Sequence, residues 1–410
     1  MNLIIGVDIG GTKIKAGLVT ASGRVRKRII TSTEGEKGRA VLLRNLFKVI
    51  NRLMNKDVIG IGVGSAGPVD PVNGKIMDSP HIPCLKGLEL KKILEKKYKG
   101  LLIKVDNDAN CFTLGEAIFG AGKRSRYVIG ITLGTGVGGG IVVDKELYHG
   151  VGSAGEFEFI SINFDGIESK GGNTGAAGEY LAKRALQRMG EIINVKTPKG
   201  LYDLARKGNE TARSCFATYG KHLGILATNL IHTFDPDCIV IGGNISDSWK
   251  YFSSSMFSEI KKRALFNRAK IVRRKLGDDA AVLGAASLLV KRDISKDKIK
   301  SFKRRWGEYK RFCYNEKSTV RIVTINPGHI LKPRSHKNRD ELWYAVDDGL
   351  QVQIGDKIYT TNLGDVYLIP RGTKHRVIAL RNSGRIMEIS YGEYETADVI
   401  KYDEKGMIKK

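Results

Sequence analysis

From Leu3 to about residue 290 the chain alternates short apolar runs of β type with amphipathic helical stretches, and beyond Trp306 only short strands separated by turn glycines remain. Strands that alternate with helices suit parallel pairing in a sheet covered by those helices, so the first part is predicted to be α/β. Its strands are expected at Leu3 to Val7, Ile14 to Val19, Val58 to Val63, Leu102 to Val105, Val128 to Leu133, Gly140 to Val143 and Cys238 to Ile241. Helices are expected at Gly38 to Met54, Leu88 to Tyr98, Asn110 to Phe119, Gly178 to Met189, Glu210 to Phe234 and Ser248 to Ala264. The second part reads as an antiparallel β-sandwich or barrel from Thr319 to Ile325, Glu341 to Val346, Leu350 to Ile354, Lys357 to Thr360 and Arg385 to Ser390.

Domains usually run about 100 to 200 residues, so 410 residues imply two or three packed units. The expected division is 1–290, with a small lobe of about 1–115 and a large lobe of about 116–290, then a linker at 291–305 and an all-β unit at 306–410. The stretch from Lys291 to Arg305 carries eight Lys or Arg and two Asp, the texture of a solvated linker or an exposed helix. No internal repeat between the halves and no low-complexity tract is visible.

Composition narrows the function classes. A 41% hydrophobic and 27% charged chain is ordinary globular material. Met1 leads almost directly into the apolar Leu3, Ile4 and Ile5 with no basic region before them, so a cytoplasmic protein without a signal peptide is expected. The long uncharged stretch from Tyr127 to Val143 holds six glycines and falls short of the roughly 20 residues that a helix needs to cross a bilayer, so no membrane partner is expected. Cys84, Cys111, Cys215, Cys238 and Cys313 are scattered without a C-x-x-C pair, as expected of reduced thiols. The net charge of +26 is spread along the whole chain without a nucleic-acid-binding motif, so no nucleic-acid partner is expected.

Three glycine elements carry the chemistry of the first part. Asp8-Ile9-Gly10-Gly11-Thr12-Lys13 lies between two strands, and backbone amides in such a turn can approach an anion closely while Asp8 faces phosphate and magnesium. Thr132-Leu133-Gly134-Thr135-Gly136 opens a second glycine loop about 120 residues further on, and Gly242-Gly243 closes a strand where base or ribose can lie against bare backbone. Between them, Asp106-Asn107-Asp108-Ala109-Asn110 follows a strand end, where open α/β sheets place ligands. An acceptor hydroxyl is a weak nucleophile, and phosphoryl transfer to it needs a carboxylate that accepts its proton, the role for which Asp108 is the candidate. The competing reading of the Asn-Asp pair is a helix N-cap.

These motifs, with Gly64-Ser65-Ala66-Gly67-Pro68-Val69-Asp70 and Gly155-Glu156, resemble the ROK family of the sugar-kinase and actin superfamily over residues 1 to about 290. The resemblance implies an actin-like, ribonuclease H-like, two-lobed sugar kinase that uses ATP and Mg2+, with Asp108 as base and Gly67, Asn107 and Glu156 at the sugar. The chain departs from the family where Glu158 and Phe159 replace a Gly-His pair and where Gly171 to Glu179 lacks the cysteines of a zinc knuckle. No structural zinc is therefore expected in the kinase part. Glu179 stands one residue off the spacing of the family's last sugar-contacting glutamate, and His81 stands where many relatives have an asparagine near the sugar. These departures surround the sugar, so the hexose stays open between glucose and mannose types. Kinases of the family are often dimers, so a homodimer is an expectation.

In the second part, Gly328, Arg334-Ser335-His336 and Glu341 are followed by Gly364, Pro370 and His375 at cupin-like spacing. Two imidazoles and a carboxylate on neighbouring strands can converge on one divalent ion, so His336, Glu341 and His375 are the candidate ligands of Zn2+, Mn2+ or Fe2+. Residues Arg305 to Tyr402 resemble the C-terminal domain of type II phosphomannose isomerases through Trp306 to Tyr309, Asn326-Pro327-Gly328, Arg339, Trp343, Ile369 to Arg376 and Gly392-Glu393-Tyr394. The resemblance implies an all-β cupin barrel that interconverts mannose 6-phosphate and fructose 6-phosphate; Arg334, which could bind a substrate phosphate bidentately, and Arg376 are the candidate substrate contacts. The family usually has glutamine at the place of Arg334, and an arginine cannot ligate a cation, so either three ligands suffice or the metal is lost.

Three readings remain: a bifunctional hexose kinase and isomerase, a kinase with a cupin that only senses sugar phosphate, and a ROK-type regulator. Regulators of that family carry a DNA-binding domain ahead of the kinase-like fold, and Asp8 leaves no room for one.

Overall fold

The computed structural model describes residues 2–169, 171–289, 300–304, 307–311, 318–380, 382–391 and 398–403, with only the backbone described at 300–304 and 307–311. Trp306, Cys313 and Gly392 to Tyr394 lie outside these residues. The chain divides into two compact units, Met1–Val290 and Lys291–Lys410.

In the first unit β1 (Leu3–Ile9), β2 (Lys13–Thr20) and β3 (Val25–Ser32) form an antiparallel meander, and α1 (Arg39–Leu53) crosses over to β4 (Val58–Ser65), parallel to β1. A ribbon of β5 (Val69–Asp70) and β6 (Lys75–Ile76) and then α2 (Leu90–Lys97) precede β7 (Leu102–Asn107), which closes the sheet order β3-β2-β1-β4-β7. Along α1 the residues Leu42, Leu46, Val49, Ile50 and Leu53 recur at helical spacing and bury one face against this sheet.

After α3 (Asp108–Ile118) the pattern is built again. The strands β8 (Tyr127–Leu133), β9 (Val137–Val143) and β10 (Glu146–Leu147) form a second meander. The helices α4 (Ala177–Leu181), α5 (Lys183–Gly190), α6 (Pro198–Arg206) and α7 (Glu210–Phe234) lead to β11 (Cys238–Gly242), parallel to β8. Next, α8 (Trp249–Arg263) leads to β12 (Lys270–Arg273), and the order is β10-β9-β8-β11-β12. Both sheets thus have three antiparallel strands followed by two parallel ones. The first unit thus repeats itself in topology, which residue-by-residue likeness does not reveal.

Other differences have physical causes. The edge strand β3 alternates exposed and half-buried residues and carries Arg26, Lys27 and Arg28, so it lacks the apolar run that marks a strand. The helix expected over Gly178 to Met189 breaks at Ala182, which is extended at φ −75° and ψ 168°. The last helix of the unit, α9 (Ala280–Ser287), returns to the first sheet: a Cβ on Gly6 would lie 2.1 Å from the Val282 carbonyl oxygen, and one on Gly62 would lie 1.8 Å from that of Ala285. The expected lobe boundary near residue 115 therefore does not separate the chain cleanly, because its end completes the first half.

In the second unit β13 (Lys300–Arg304) and β14 (Gly307–Arg311) pair antiparallel, so the end of the expected linker is a strand. One sheet follows from β15 (Ser318–Ile325), β18 (Asp340–Ala345), β21 (Val366–Ile369) and β23 (Gly384–Tyr391), ordered β15-β23-β18-β21. The other holds β16 (His329–Ile330), β17 (Arg334–His336), β19 (Gln351–Ile354), β20 (Lys357–Thr360), β22 (His375–Ala379) and β24 (Val399–Lys401). Ile325, Trp343, Ala345 and Ile386 of the first sheet meet Val352, Val377 and Ala379 of the second in one apolar cluster, so the two inner faces share a core. Among the described residues no helix is long and apolar enough to cross a membrane.

Candidate functional site

The parallel strands β1, β4 and β7 end in register, with Ile9 beside Ser65 and Ser65 beside Asn107, so three loops leave the sheet at one edge. The first loop is a tight turn in which Gly10 N–H donates to the Lys13 carbonyl at 3.0 Å, and Thr33 Oγ1 donates to the Gly10 carbonyl at 2.7 Å. Gly11 and Thr12 are exposed at its tip, as is Lys13. At the third loop Asn107 caps α3: its Oδ1 accepts from Ala109 N–H at 2.9 Å and Asn110 N–H at 3.0 Å, while its Nδ2 donates to the Gly67 carbonyl at 3.1 Å. The cap reading is therefore satisfied by Asn107, and Asp108, the first helical residue, accepts the Ala109 N–H at 2.9 Å.

Asp108 is held above the ordinary aspartate range by burial. Asp8 is raised to about 7, first by burial and next by the charge of Asp108. Glu156 is raised by burial, then by the charges of Asp108 and Glu158. Three carboxylates from β1, α3 and the segment after β10 thus crowd one place, and such concentrations of displaced acidity mark functional sites. Asp106, one residue before Asn107, accepts from Asn110 Nδ2 at 2.9 Å and pairs with His149 Nε2 at 2.8 Å, which ties the segment carrying Glu156 to the end of β7. Sequence reasoning missed His149, because a lone histidine before a glycine carries no pattern.

From the second sheet, the turn between β8 and β9 is closed by Gly134 N–H donating to the Gly136 carbonyl at 3.0 Å. Gly242 pairs with Thr132 across β11 and β8, and Gly243 has φ +78° with its Cα so close that a Cβ would lie 2.2 Å from the Leu133 carbonyl oxygen. The second and third glycine elements are therefore one surface of bare backbone. His81 reaches this surface as well: a Cβ on Gly136 would lie 3.1 Å from its Nε2. Glu179 is paired, with its Oε1 accepting from Arg184 Nε at 3.1 Å.

In the second unit, residues facing one another on antiparallel strands share a face, and residues two apart do so along a strand. Arg334 faces His375, and His336 follows Arg334 by two. Glu341, Trp343, Glu388 and Ser390 share a face of the other sheet by the same rule. His336, Glu341 and His375 are all buried, and a ligand atom of each lies within 4.8 Å of the others. His375 Nδ1 lies 2.8 Å from the Thr373 carbonyl, which makes Nδ1 the donor and leaves Nε2 as the lone-pair nitrogen, 3.4 Å from Glu341 Oε2 and without a hydrogen bond. Burial drives the His375 imidazole down to about 4. Burial pushes the Glu341 carboxyl up, but the hydrogen bond with His336 and the nearby positive charges outweigh it and hold the group well below the usual range. A neutral imidazole with an inward lone pair and an ionised carboxylate fit a divalent cation.

The two arginines separate. Arg334 Nη2 donates to Glu388 Oε2 at 2.9 Å, and Arg321 pairs with Glu388 Oε1 at 2.7 Å, so a buried carboxylate balances two guanidinium groups beside the histidines. Arg376 directly follows His375 on β22, points to the opposite face and donates to Gln353 Oε1 at 2.7 Å. The expectation that Arg376 joins this cluster is corrected by strand alternation.

Residues 4–292 match the family model described as ROK family, and residues 291–404 match the one described as mannose-6-phosphate isomerase C-terminal. The chain is 31% identical over 314 residues to a glucokinase of Streptomyces coelicolor, spanning 70% of this chain and 98% of that protein. It is 28% identical over 312 residues to a xylose repressor of Caldicellulosiruptor bescii, spanning 70% of this chain and 78% of that protein. A solved ROK family glucokinase from Streptomyces griseus, in complex with glucose and AMPPNP, superposes with a TM-score of 0.63 at 30% identity over 70% of this chain and 99% of that one.

Proposed function

The chain belongs to the ROK family, and on that footing we propose that residues 1–290 are an ATP-dependent hexose kinase acting on the 6-hydroxyl of a glucose- or mannose-type sugar. The observation that carries the reading is the half-buried, elevated carboxylate of Asp108, one residue past a satisfied cap and close enough to Asp8 and Glu156 to raise both. Asp108 accepts the proton of the attacking hydroxyl, and burial makes it a stronger base than a solvated aspartate. Asn107, Gly67, His81 and Glu156 orient the sugar. The turn at Gly10 to Lys13 and the bare backbone at Thr132 to Gly136 and Gly242-Gly243 receive the nucleotide. Asp8 would hold the Mg2+ that accompanies ATP, which when bound neutralises charge on the transferring phosphoryl group. Hexose-dependent ADP release tests the reading, and its absence with every hexose overturns it.

We further propose that the second unit is a cupin barrel that interconverts mannose 6-phosphate and fructose 6-phosphate. His336, Glu341 and His375 would hold a divalent cation, which when bound polarises the carbonyl and hydroxyl oxygens of the sugar. Arg334, on the same inner face, offers its guanidinium to the substrate's phosphate. Its engagement with Glu388 in place of a metal ligand also favours the second reading, a cupin that binds sugar phosphate without turning it over. Full-length protein given mannose 6-phosphate and Mn2+ or Zn2+ decides between them: fructose 6-phosphate supports the isomerase, and saturable binding without product supports the sensor.

A further inference from the structure

Between Gly155 and Arg184 the sequence holds neither cysteine nor histidine, so this segment has no thiolate or imidazole with which to hold a structural zinc. A guanidinium cross-links it instead. Arg184 donates from Nη2 to Glu158 Oε1 at 2.9 Å and from Nε to Glu179 Oε1 at 3.1 Å. The other oxygen of Glu158, Oε2, accepts the Val137 N–H at 3.1 Å. One residue before Arg184, the Lys183 N–H donates to the Gly134 carbonyl at 2.8 Å.

The two ends of the Gly134–Val137 turn are therefore held by consecutive residues, Gly134 directly by Lys183 and Val137 through Glu158 by Arg184. The break at Ala182 starts α5 afresh at Lys183 and leaves that N–H outside the preceding helix. Packing around the link is close: a Cβ on Gly136 would lie 2.6 Å from Glu158 Oε2, and one on Gly178 would lie 2.7 Å from Arg184 Nη2. The Arg184 side chain is 39% exposed, and half-exposed ion pairs add little to global stability. The link instead orders a turn.

We infer that Arg184 is a positioning residue of the kinase site, cross-linking this segment in place of a metal and coupling the Gly134–Val137 turn to the carboxylates Glu158 and Glu179. The inference rests on the kinase reading. Arginine suits the task because a planar fork can serve two carboxylates at once, whereas lysine offers a point charge on a flexible stem.

The test is steady-state kinetics of the full-length chain with ATP, Mg2+ and its preferred hexose, alongside thermal melts, for wild type, Arg184→Ala, Arg184→Lys, Glu158→Gln and the Arg184→Ala/Glu158→Gln pair. Arg184→Ala and Glu158→Gln are each expected to lower kcat/KM about tenfold, mainly through a higher KM for ATP, with Tm within about 2 °C of wild type. Arg184→Lys recovers little of the loss, and the double variant is no worse than Arg184→Ala, because one link is broken once. Unchanged kinetic constants in Arg184→Ala, or losses that add in the double variant, overturn the inference. Glu158→Gln, nearly isosteric, carries the same test should Arg184→Ala fail to fold. Wild type stripped with a chelator and resupplied with Mg2+ alone should keep its turnover; a requirement for zinc would overturn the replacement. A wild type that phosphorylates no hexose overturns the kinase reading, and the inference falls with it.

Discussion

Replacing Asp108 with asparagine separates its chemistry from its place in the fold. Asparagine keeps an Oδ1 to accept the Ala109 N–H at 2.9 Å and nearly the same volume, but its amide cannot take a proton from a sugar hydroxyl. A positioned base contributes about 10²- to 10⁴-fold, roughly 3 to 5.5 kcal/mol of barrier, so kcat should fall by that factor. Burial holds Asp108 above its ordinary range, so its ionised form opposes folding at neutral pH, and the neutral amide should leave Tm equal to or above that of wild type. The variant also removes a charge that raises Asp8, which favours ionised Asp8 and should leave nucleotide affinity intact. Turnover by coupled ADP release, AMPPNP binding by calorimetry and thermal melts read the three effects. A kcat reduced less than tenfold places the base elsewhere, and an equal loss of nucleotide affinity makes Asp108 a binding group.

Gly243→Ala should cost about 1 to 3 kcal/mol of stability and raise the KM for ATP, because its φ of +78° disfavours alanine and the new Cβ would press on the Leu133 carbonyl; an unchanged melt and KM would contradict the close approach. Kinase activity should fall on the acid side at a higher pH than an ordinary carboxylate dictates, because the raised Asp108 becomes protonated there. The same sign applies to folding: without magnesium, the penalty of ionised Asp8 is fully present above about 7 and fades as the pH drops toward the unfolded aspartate value, so Tm should rise between pH 8 and 5.5, and by less in Asp8→Asn. An equal rise in both proteins would refute that attribution. His375→Ala should abolish stoichiometric divalent metal, measured by elemental analysis, while hexose phosphorylation by the first unit continues; metal retained at full stoichiometry would exclude the three-residue ligand set.

The candidate site residues of the first unit stand out in the sequence because they sit at strand ends beside glycines, where composition and spacing are unusual. The Asp108 pair and the Gly242-Gly243 element were found in this way. What the sequence hid is long-range: Arg184 reaches Glu158 across a 26-residue separation, and His149 reaches Asp106 across 43, with no local spacing to announce either. The return helix α9 was missed because its small residues, needed to approach Gly6 and Gly62, give no amphipathic stripe. In the second unit the metal-ligand candidates followed from spacing, whereas the facing of Arg376 depended on strand register, which one residue of alternation inverts. The balance of Arg334 by Glu388 joins residues 54 apart and was equally invisible.

The central claim is tested most directly by incubating full-length protein with ATP, Mg2+ and, separately, glucose, mannose, fructose, N-acetylglucosamine and N-acetylmannosamine, with each product identified by NMR. The account predicts a 6-phosphorylated hexose from glucose or mannose, and fructose 6-phosphate from mannose once a divalent metal is supplied. ATP left intact with every sugar would contradict it.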